Sequence, residues 1–166
     1  SGYDDAHSIQ KNRILSAKVI YPIGESLDIS ILAGESKEDF ISYTSSYGPY
    51  AVESTRRNGS VQLDYQLNDN LLLTSGFESQ KDMLPASPYL QENIARTESR
   101  FLQGQYSAGV IDILAGYRHD DYEKYGEQET WNFGAKIKAN RNLSFTAGFG
   151  EAFKLPTIND LYSLFG

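Results

Sequence analysis

The chain has 166 residues, a formal net charge of −7 and no cysteine. This charge argues against duplex nucleic acid as a partner, which needs clustered Lys and Arg. The lack of Cys excludes a disulfide scaffold and a thiolate metal site, and no apolar run approaches the roughly 18 residues of a transmembrane helix. Twelve Tyr, eight Phe and 14 Gly give the chain a β-type composition.

Apolar and polar residues alternate with period two, which predicts eight strands. In the first strand, Leu15, Ala17 and Val19 alternate with Ser16 and Lys18. The fifth has the weakest pattern because both of its parities mix apolar and polar residues. The predicted strands in chain order are about 11–21, 27–36, 56–66, 70–80, 97–107, 110–120, 128–139 and 143–150.

Short and long connections alternate between these strands. Turn-forming residues predict tight turns at 22–26, 67–70, 107–109 and 140–142. The intervening polar segments predict long connections at 37–55, 81–96 and 121–127. An antiparallel meander, with tight turns at one end and long loops at the other, fits this alternation.

Two all-β architectures accommodate the pattern. A soluble sandwich or barrel buries the apolar face in a core, whereas a transmembrane barrel turns it to lipid and lines its lumen with polar residues. The membrane version is favoured by strands close to the about 9–11 residues that span a bilayer. Small and charged residues fill the polar face, among them Lys18, Asp64, Glu78, Arg118 and Lys136. Aromatic residues that fit an interfacial girdle lie near the ends of the apolar face, namely Tyr21, Tyr65, Tyr117 and Trp131.

No catalytic group of residues stands out, and the prediction is that the chain is not an enzyme. His119 adjoins Asp120, but neighbouring residues of a strand point to opposite faces, so the pair does not converge. A solvated strand end explains them better than a metal site or a general base. The segment GFGEAF at 148–153 lacks the third glycine of a dinucleotide-binding fingerprint.

The predicted loops supply the candidate binding residues. Tyr side chains offer rigid contact area with a hydrogen-bonding tip, although packing of a loop on itself is an equal alternative. The candidates for ligand contact, chosen by loop position, are Tyr43, Tyr47, Tyr50, Tyr89, Asp121 and Tyr122. Asp4 and Asp5 are calcium candidates, for which a solvated acidic loop is the alternative because Ca²⁺ needs six or more oxygen ligands.

Two segments carry a resemblance to a known family. GEAFKLPTINDLY at 150–162 resembles the signature that follows a barrel strand in TonB-dependent outer-membrane receptors. The residues that match this signature are Phe153, Pro156, Asn159, Leu161 and Tyr162. AGYRHDDYEKYGEQETWNFGAKI at 115–137 resembles the family's Arg-x-Asp-Asp turn, aromatic and glycine loop, and following Trp. Within the family, the chain is most similar to the cobalamin receptors.

The resemblance implies that residues 1–166 are part of the β-barrel domain of a receptor, eight strands of about 22, with the plug domain and the other strands lying outside this chain. It implies uptake of cobalamin or a ferric siderophore, energised by a TonB-type protein through the plug. It also implies the outer membrane of a Gram-negative bacterium, with lipid and lipopolysaccharide around the barrel. The alternatives are a small passive porin-like barrel and a soluble β binding module.

Overall fold

The computed structural model describes residues 7–44, 48–85 and 94–153, which form a single eight-stranded antiparallel sheet. Each strand pairs with the next one in sequence, so the sheet is a plain meander from β1 to β8. The strands are β1 His7–Ile23, β2 Leu27–Thr44, β3 Gly48–Asn68, β4 Leu71–Met83, β5 Ile94–Ala108, β6 Ile111–Tyr122, β7 Gly126–Lys138 and β8 Ser144–Gly150. None of the described residues forms a helix long and apolar enough to cross a membrane.

Tight turns lie at one end of the sheet, which we call the turn end. They occupy residues 24–26, 69–70, 109–110 and 139–143, close to where the sequence predicts them. Gly109 has a φ of 56° at the first central position of a two-residue hairpin, where glycine adopts the left-handed conformation without steric cost. The opposite end, which we call the hairpin end, carries the connections between β2 and β3, β4 and β5, and β6 and β7.

The strands reach further toward the hairpin end than the alternation predicts. The predicted loop at 37–55 is wrong, because β2 continues to Thr44 and β3 begins at Gly48. The predicted connection at 121–127 shrinks to residues 123–125 in the same way. Beyond Ser36 both faces of β2 carry polar residues, so the periodic signal disappears while the backbone ladder between β2 and β3 persists.

The two faces of the sheet reverse the usual relation between polarity and burial. No hydrophobic side chain is buried among the described residues, and the buried residues are the polar Ser30, Ser99 and Asp120. All three belong to the polar parity of their strands, the face that also bears Glu78 and Arg118. The polar face is therefore the crowded, inner one, and we call the apolar one the outer face.

The outer face carries a continuous apolar band that runs across all eight strands. Its width is bounded by aromatic residues, with Tyr65 and Tyr106 toward the turn end and Tyr117 paired with Trp131 toward the hairpin end. This is the arrangement of a membrane-spanning band flanked by two girdles. The segments that form the band are 15–23, 27–33, 59–65, 71–77, 102–108, 111–117, 131–137 and 145–149.

Candidate functional site

A charged network on the inner face links β4 and β6 across β5 near the hairpin end. Arg118 Nη2 lies 2.8 Å from Glu78 Oε2 on β4, and Arg118 Nε lies 2.8 Å from Asp120 Oδ1 on β6. Ser99 of β5 is paired with both Glu78 and Asp120, and it is only 2% exposed. A serine there leaves room for the guanidinium to reach across β5 to β4. The network thus fixes a positive charge between two carboxylates on the inner wall.

Tyr122 extends this network toward the hairpin end. It occupies the same face of β6 as Arg118 and Asp120, at spacings of two residues. Burial, followed by the charge of Asp120 and a hydrogen bond to it, raises the pKa of the Tyr122 phenol. The phenol is therefore neutral and a donor at physiological pH. The ring of Phe153 lies 6.3 Å from the Tyr122 ring, so an aromatic pair closes this end of the network.

Two smaller polar clusters line the same inner face on β3 and β4. Asp64 accepts hydrogen bonds from Gln62, at 2.8 Å, and from Thr74, at 2.7 Å. Nearer the hairpin end, Arg56 Nε lies 2.6 Å from Asp82 Oδ1, and Gln80 also donates to Asp82. Every charged group of these clusters has a partner on the wall itself. Such a lining is hydrophilic and pre-organised, as a water-filled lumen requires.

The structure separates the candidate ligand residues that it describes. Tyr43 lies in β2 and not in a loop; its ring stacks on that of His7, with centroids 4.6 Å apart. Asp121 and Tyr122 both lie in β6, but Asp121 belongs to the outer face and Tyr122 to the inner one. Tyr50 lies in β3. Residues Tyr47 and Tyr89 lie outside the described residues, as do Asp4, Asp5, Pro156, Asn159, Leu161 and Tyr162.

The expected separation of His119 from Asp120 is confirmed. His119 Nδ1 is 3.7 Å from Glu129 on the outer face, whereas Asp120 joins the inner network. The ranges 7–44, 48–85 and 94–153 contain no group of three or more His, Asp or Glu residues placed to hold a metal ion. The sequence reading treated Glu78 and Arg118 only as lumen-facing charges and missed their connection. The pattern Arg-x-Asp on one face of a strand could have indicated the pair of Arg118 with Asp120, but not the contact with Glu78.

The exposed apolar band, the crowded polar face and the aromatic girdles are the features expected of the protein family that the sequence matches. A model of the TonB dependent receptor-like β-barrel matches residues 33–165. The chain belongs to this family. Receptors of this family lie in the outer membrane of Gram-negative bacteria, so the apolar band faces lipid and the charged network faces the lumen.

The relatives of this receptor barrel include two proteins named vitamin B12 transporter BtuB. The one from Photobacterium profundum is 25% identical over 170 residues, covering 98% of this chain and 28% of the relative. The one from Vibrio vulnificus is 29% identical over 116 residues, covering 68% of this chain and 19% of the relative. The chain therefore spans less than a third of the length of these curated relatives.

A solved structure shows the same fold. The siderophore receptor PirA from Pseudomonas aeruginosa superposes with a TM-score of 0.63, covering 90% of this chain and 36% of that one. The two sequences are 17% identical, so the likeness concerns the fold. It agrees with the eight-stranded meander and with its place in a TonB-dependent receptor barrel.

The charged network is expected to stabilise this receptor barrel against unfolding. We expect Arg118→Gln to lower the free energy of unfolding by about 1–2 kcal/mol, because Glu78 and Asp120 lose charge-assisted hydrogen bonds and face each other uncompensated. The effect is moderated by water, since the Arg118 side chain is 39% exposed. Guanidinium unfolding of the full-length receptor in lipid vesicles measures it.

The matched control is Arg57→Gln, which removes a guanidinium from a more exposed pair. The Arg57 side chain is 62% exposed and lies 2.7 Å from Glu35. Exposed pairs contribute about 0–1 kcal/mol, so this variant should be close to wild type. Equal losses in the two variants would contradict the view that the inner network has a special role.

Proposed function

We propose that this chain forms part of the barrel of an active-transport receptor that takes up cobalamin across the outer membrane, energised by a TonB-type protein. The proposal rests on one observation above the others: an exposed apolar band covers one face of the sheet, and a charged, hydrogen-bonded wall covers the other. A soluble binding module would bury its apolar face in a core, whereas none of the described hydrophobic side chains is buried. The BtuB names of the relatives support cobalamin as the ligand.

In this proposal the residues of the chain provide the passive part of transport. The inner network at Glu78, Arg118 and Asp120 lies near the hairpin end, opposite the tight turns. In bacterial barrels the tight turns are periplasmic and the longer connections are extracellular, so the hairpin end is assigned to the extracellular side. Tyr122 and Phe153 present aromatic area at the same end, where a large ligand enters. The energised step belongs to the plug domain and its TonB-type partner. Calcium bound by Asp4 and Asp5 remains a prediction.

A ferric siderophore is the second candidate ligand, since the fold is shared with the siderophore receptor PirA. Cobalamin and ferric siderophores differ in size, charge and metal, and a shared fold does not distinguish between them. Cobalamin is preferred as the ligand because the sequence relatives are named vitamin B12 transporters.

The test is an uptake measurement with the full-length protein in cells that lack their own cobalamin and siderophore receptors. We expect radiolabelled cyanocobalamin to accumulate, and accumulation to stop when the proton gradient or the TonB-type protein is removed. Accumulation of a ferric siderophore without accumulation of cyanocobalamin would identify the siderophore, and not cobalamin, as the ligand. Uptake that persists without the energy source would support a passive porin-like barrel and contradict the receptor.

A further inference from the structure

Three carboxylates form a row on the outer face, beyond the apolar band toward the hairpin end. Glu98 on β5 is paired in register with Asp121 on β6, which is paired in register with Glu127 on β7. All three side chains are exposed, and none forms a salt bridge within residues 7–44, 48–85 and 94–153. Like charges directly opposite one another are destabilising. This acidic row therefore has an electrostatic cost in the isolated sheet.

A cationic pair lies beside the acidic row on the same face. Lys81 on β4 is paired in register with Arg96 on β5, and Arg96 is two residues from Glu98. Neither Lys81 nor Arg96 forms a salt bridge in the part of the chain that the structure describes. Arg57, the next cation along on β3, is already paired with Glu35 at 2.7 Å. The outer face is thus divided at β5 into a cationic side on β4 and an acidic side on β6 and β7.

The two sides lie at the same height above the apolar band. Lys81 is four residues beyond Phe77, where the band ends on β4. Asp121 is four residues beyond Tyr117, where the band ends on β6. At about 3.3 Å per residue, each charge lies roughly 13 Å along its strand from the edge of the band. Lys81 and Asp121 therefore flank β5 at equal heights and carry opposite charges.

A second copy of the same sheet is complementary to this divided surface. A two-fold axis along the membrane normal brings the cationic side of one copy against the acidic side of the other. With the axis close to β5, Lys81 faces Asp121 of the partner subunit, and the reciprocal pair forms by symmetry. An anionic lipid headgroup, in contrast, fits the cationic pair and is repelled by the acidic row. Arg100, His119 and Glu129 form a row of mixed charge nearer the band and favour neither side.

We propose that this receptor associates with a second copy of itself through the outer face of β4–β6. Two symmetric Lys81–Asp121 pairs form the contact, with Arg96 and Glu98 close to the axis. Apolar side chains gain little by exchanging lipid for protein, so the charges carry the specificity. Salt screens such exposed charges, and the association therefore weakens as the salt concentration rises. This contact is independent of the ligand that the receptor transports.

The test is energy transfer between donor-labelled and acceptor-labelled copies of the full-length receptor in phosphatidylcholine vesicles, whose headgroups carry no net charge. Lys81→Glu and Asp121→Lys each place like charges opposite one another in the contact. We expect each variant alone to raise the dissociation constant by about tenfold or more. An equal mixture of the two variants restores both attractive pairs and should associate like wild type. Salt at about 1 M, where the Debye length is about 3 Å, should weaken association of the wild type.

Unfolding in urea separates this effect from damage to the fold. Each substitution relieves a like-charge contact with its in-register neighbours, so neither variant should lose stability. The control Lys37→Glu reverses an outer-face charge on β2, opposite Arg13 and away from β5, and should associate like wild type. Monomeric wild type at low salt, unchanged association of either variant alone, or a mixture that stays monomeric would overturn the proposal. A loss of association in Lys37→Glu equal to that in Lys81→Glu would overturn the location.

Discussion

Leu63→Arg is expected to destabilise the receptor by about 2–4 kcal/mol, the cost of an arginine near the middle of a lipid-facing band. Leu63 lies on the outer face of β3, where the band runs from Gly59 to Tyr65. An arginine there must either lose its hydration or stretch to an interface, and either choice costs free energy. Guanidinium unfolding of the full-length receptor in lipid vesicles measures the change.

Gln62→Arg is the matched control, because it introduces the same side chain one residue away on the inner face. Gln62 donates to Asp64 at 2.8 Å, so an arginine in its place has a carboxylate partner and access to water. We expect this variant to stay within about 0.5 kcal/mol of wild type. If Gln62→Arg were the more damaging change, the two faces would be assigned the wrong way round.

Gly76→Val is expected to lower the free energy of unfolding by about 1–3 kcal/mol through overpacking. A Cβ atom at Gly76 would lie 2.5 Å from Cζ of Phe101 and 2.8 Å from the backbone oxygen of Val61. The Phe101 ring fills the space above Gly76 on the inner face, so the ring and the β3 backbone must both shift. The same vesicle unfolding assay reports the loss.

Gly134→Val provides the comparison on the same face, because the closest atom to its added Cβ is Leu114 Cβ at 3.9 Å. There is room for the side chain, and a β-branched residue suits a strand. We expect no destabilisation beyond about 0.5 kcal/mol. Equal effects at Gly76 and Gly134 would show that the loss of glycine matters in itself, and that the contact with Phe101 does not.

The sequence predicted the middle of each strand because a lipid-facing band imposes strict alternation there. Leu15, Ala17 and Val19 belong to one face for the same reason that Phe133 and Ile137 do. The alternation ends where the outer face leaves the membrane, since water accepts polar groups on both faces. The pattern therefore predicts a loop at Lys37, in the extension of β2, although the Lys37 backbone remains paired with β3.

The candidate site was predictable only in part. The alternation placed Arg118 and Glu78 on the polar face, but not next to each other, because their contact crosses an intervening strand. It depends on Ser99 being small and on the register of three strands, neither of which a period-two pattern encodes. Tyr43 was misplaced because an aromatic residue among Ser and Thr looks the same in a loop as in a polar hairpin.

Alternation alone left the soluble and membrane architectures open, since both produce one apolar face. The burial of Ser30, Ser99 and Asp120, together with exposed Trp131 and Phe133, separates them. A soluble sheet of this size would bury its apolar side chains against a second layer. The family match then assigns the exposed apolar band to lipid.

The most direct measurement of this orientation is cysteine labelling in lipid vesicles, for which these 166 residues contribute no Cys of their own. Single cysteines at Phe133 and Ile137 probe the outer face, and those at Asn132 and Lys136 probe the inner face of the same strand. We expect a water-soluble maleimide to label 132 and 136 and to leave 133 and 137 unmodified. Labelling of 133 and 137 with protection of 132 and 136 would contradict a lipid-facing band and, with it, the receptor barrel.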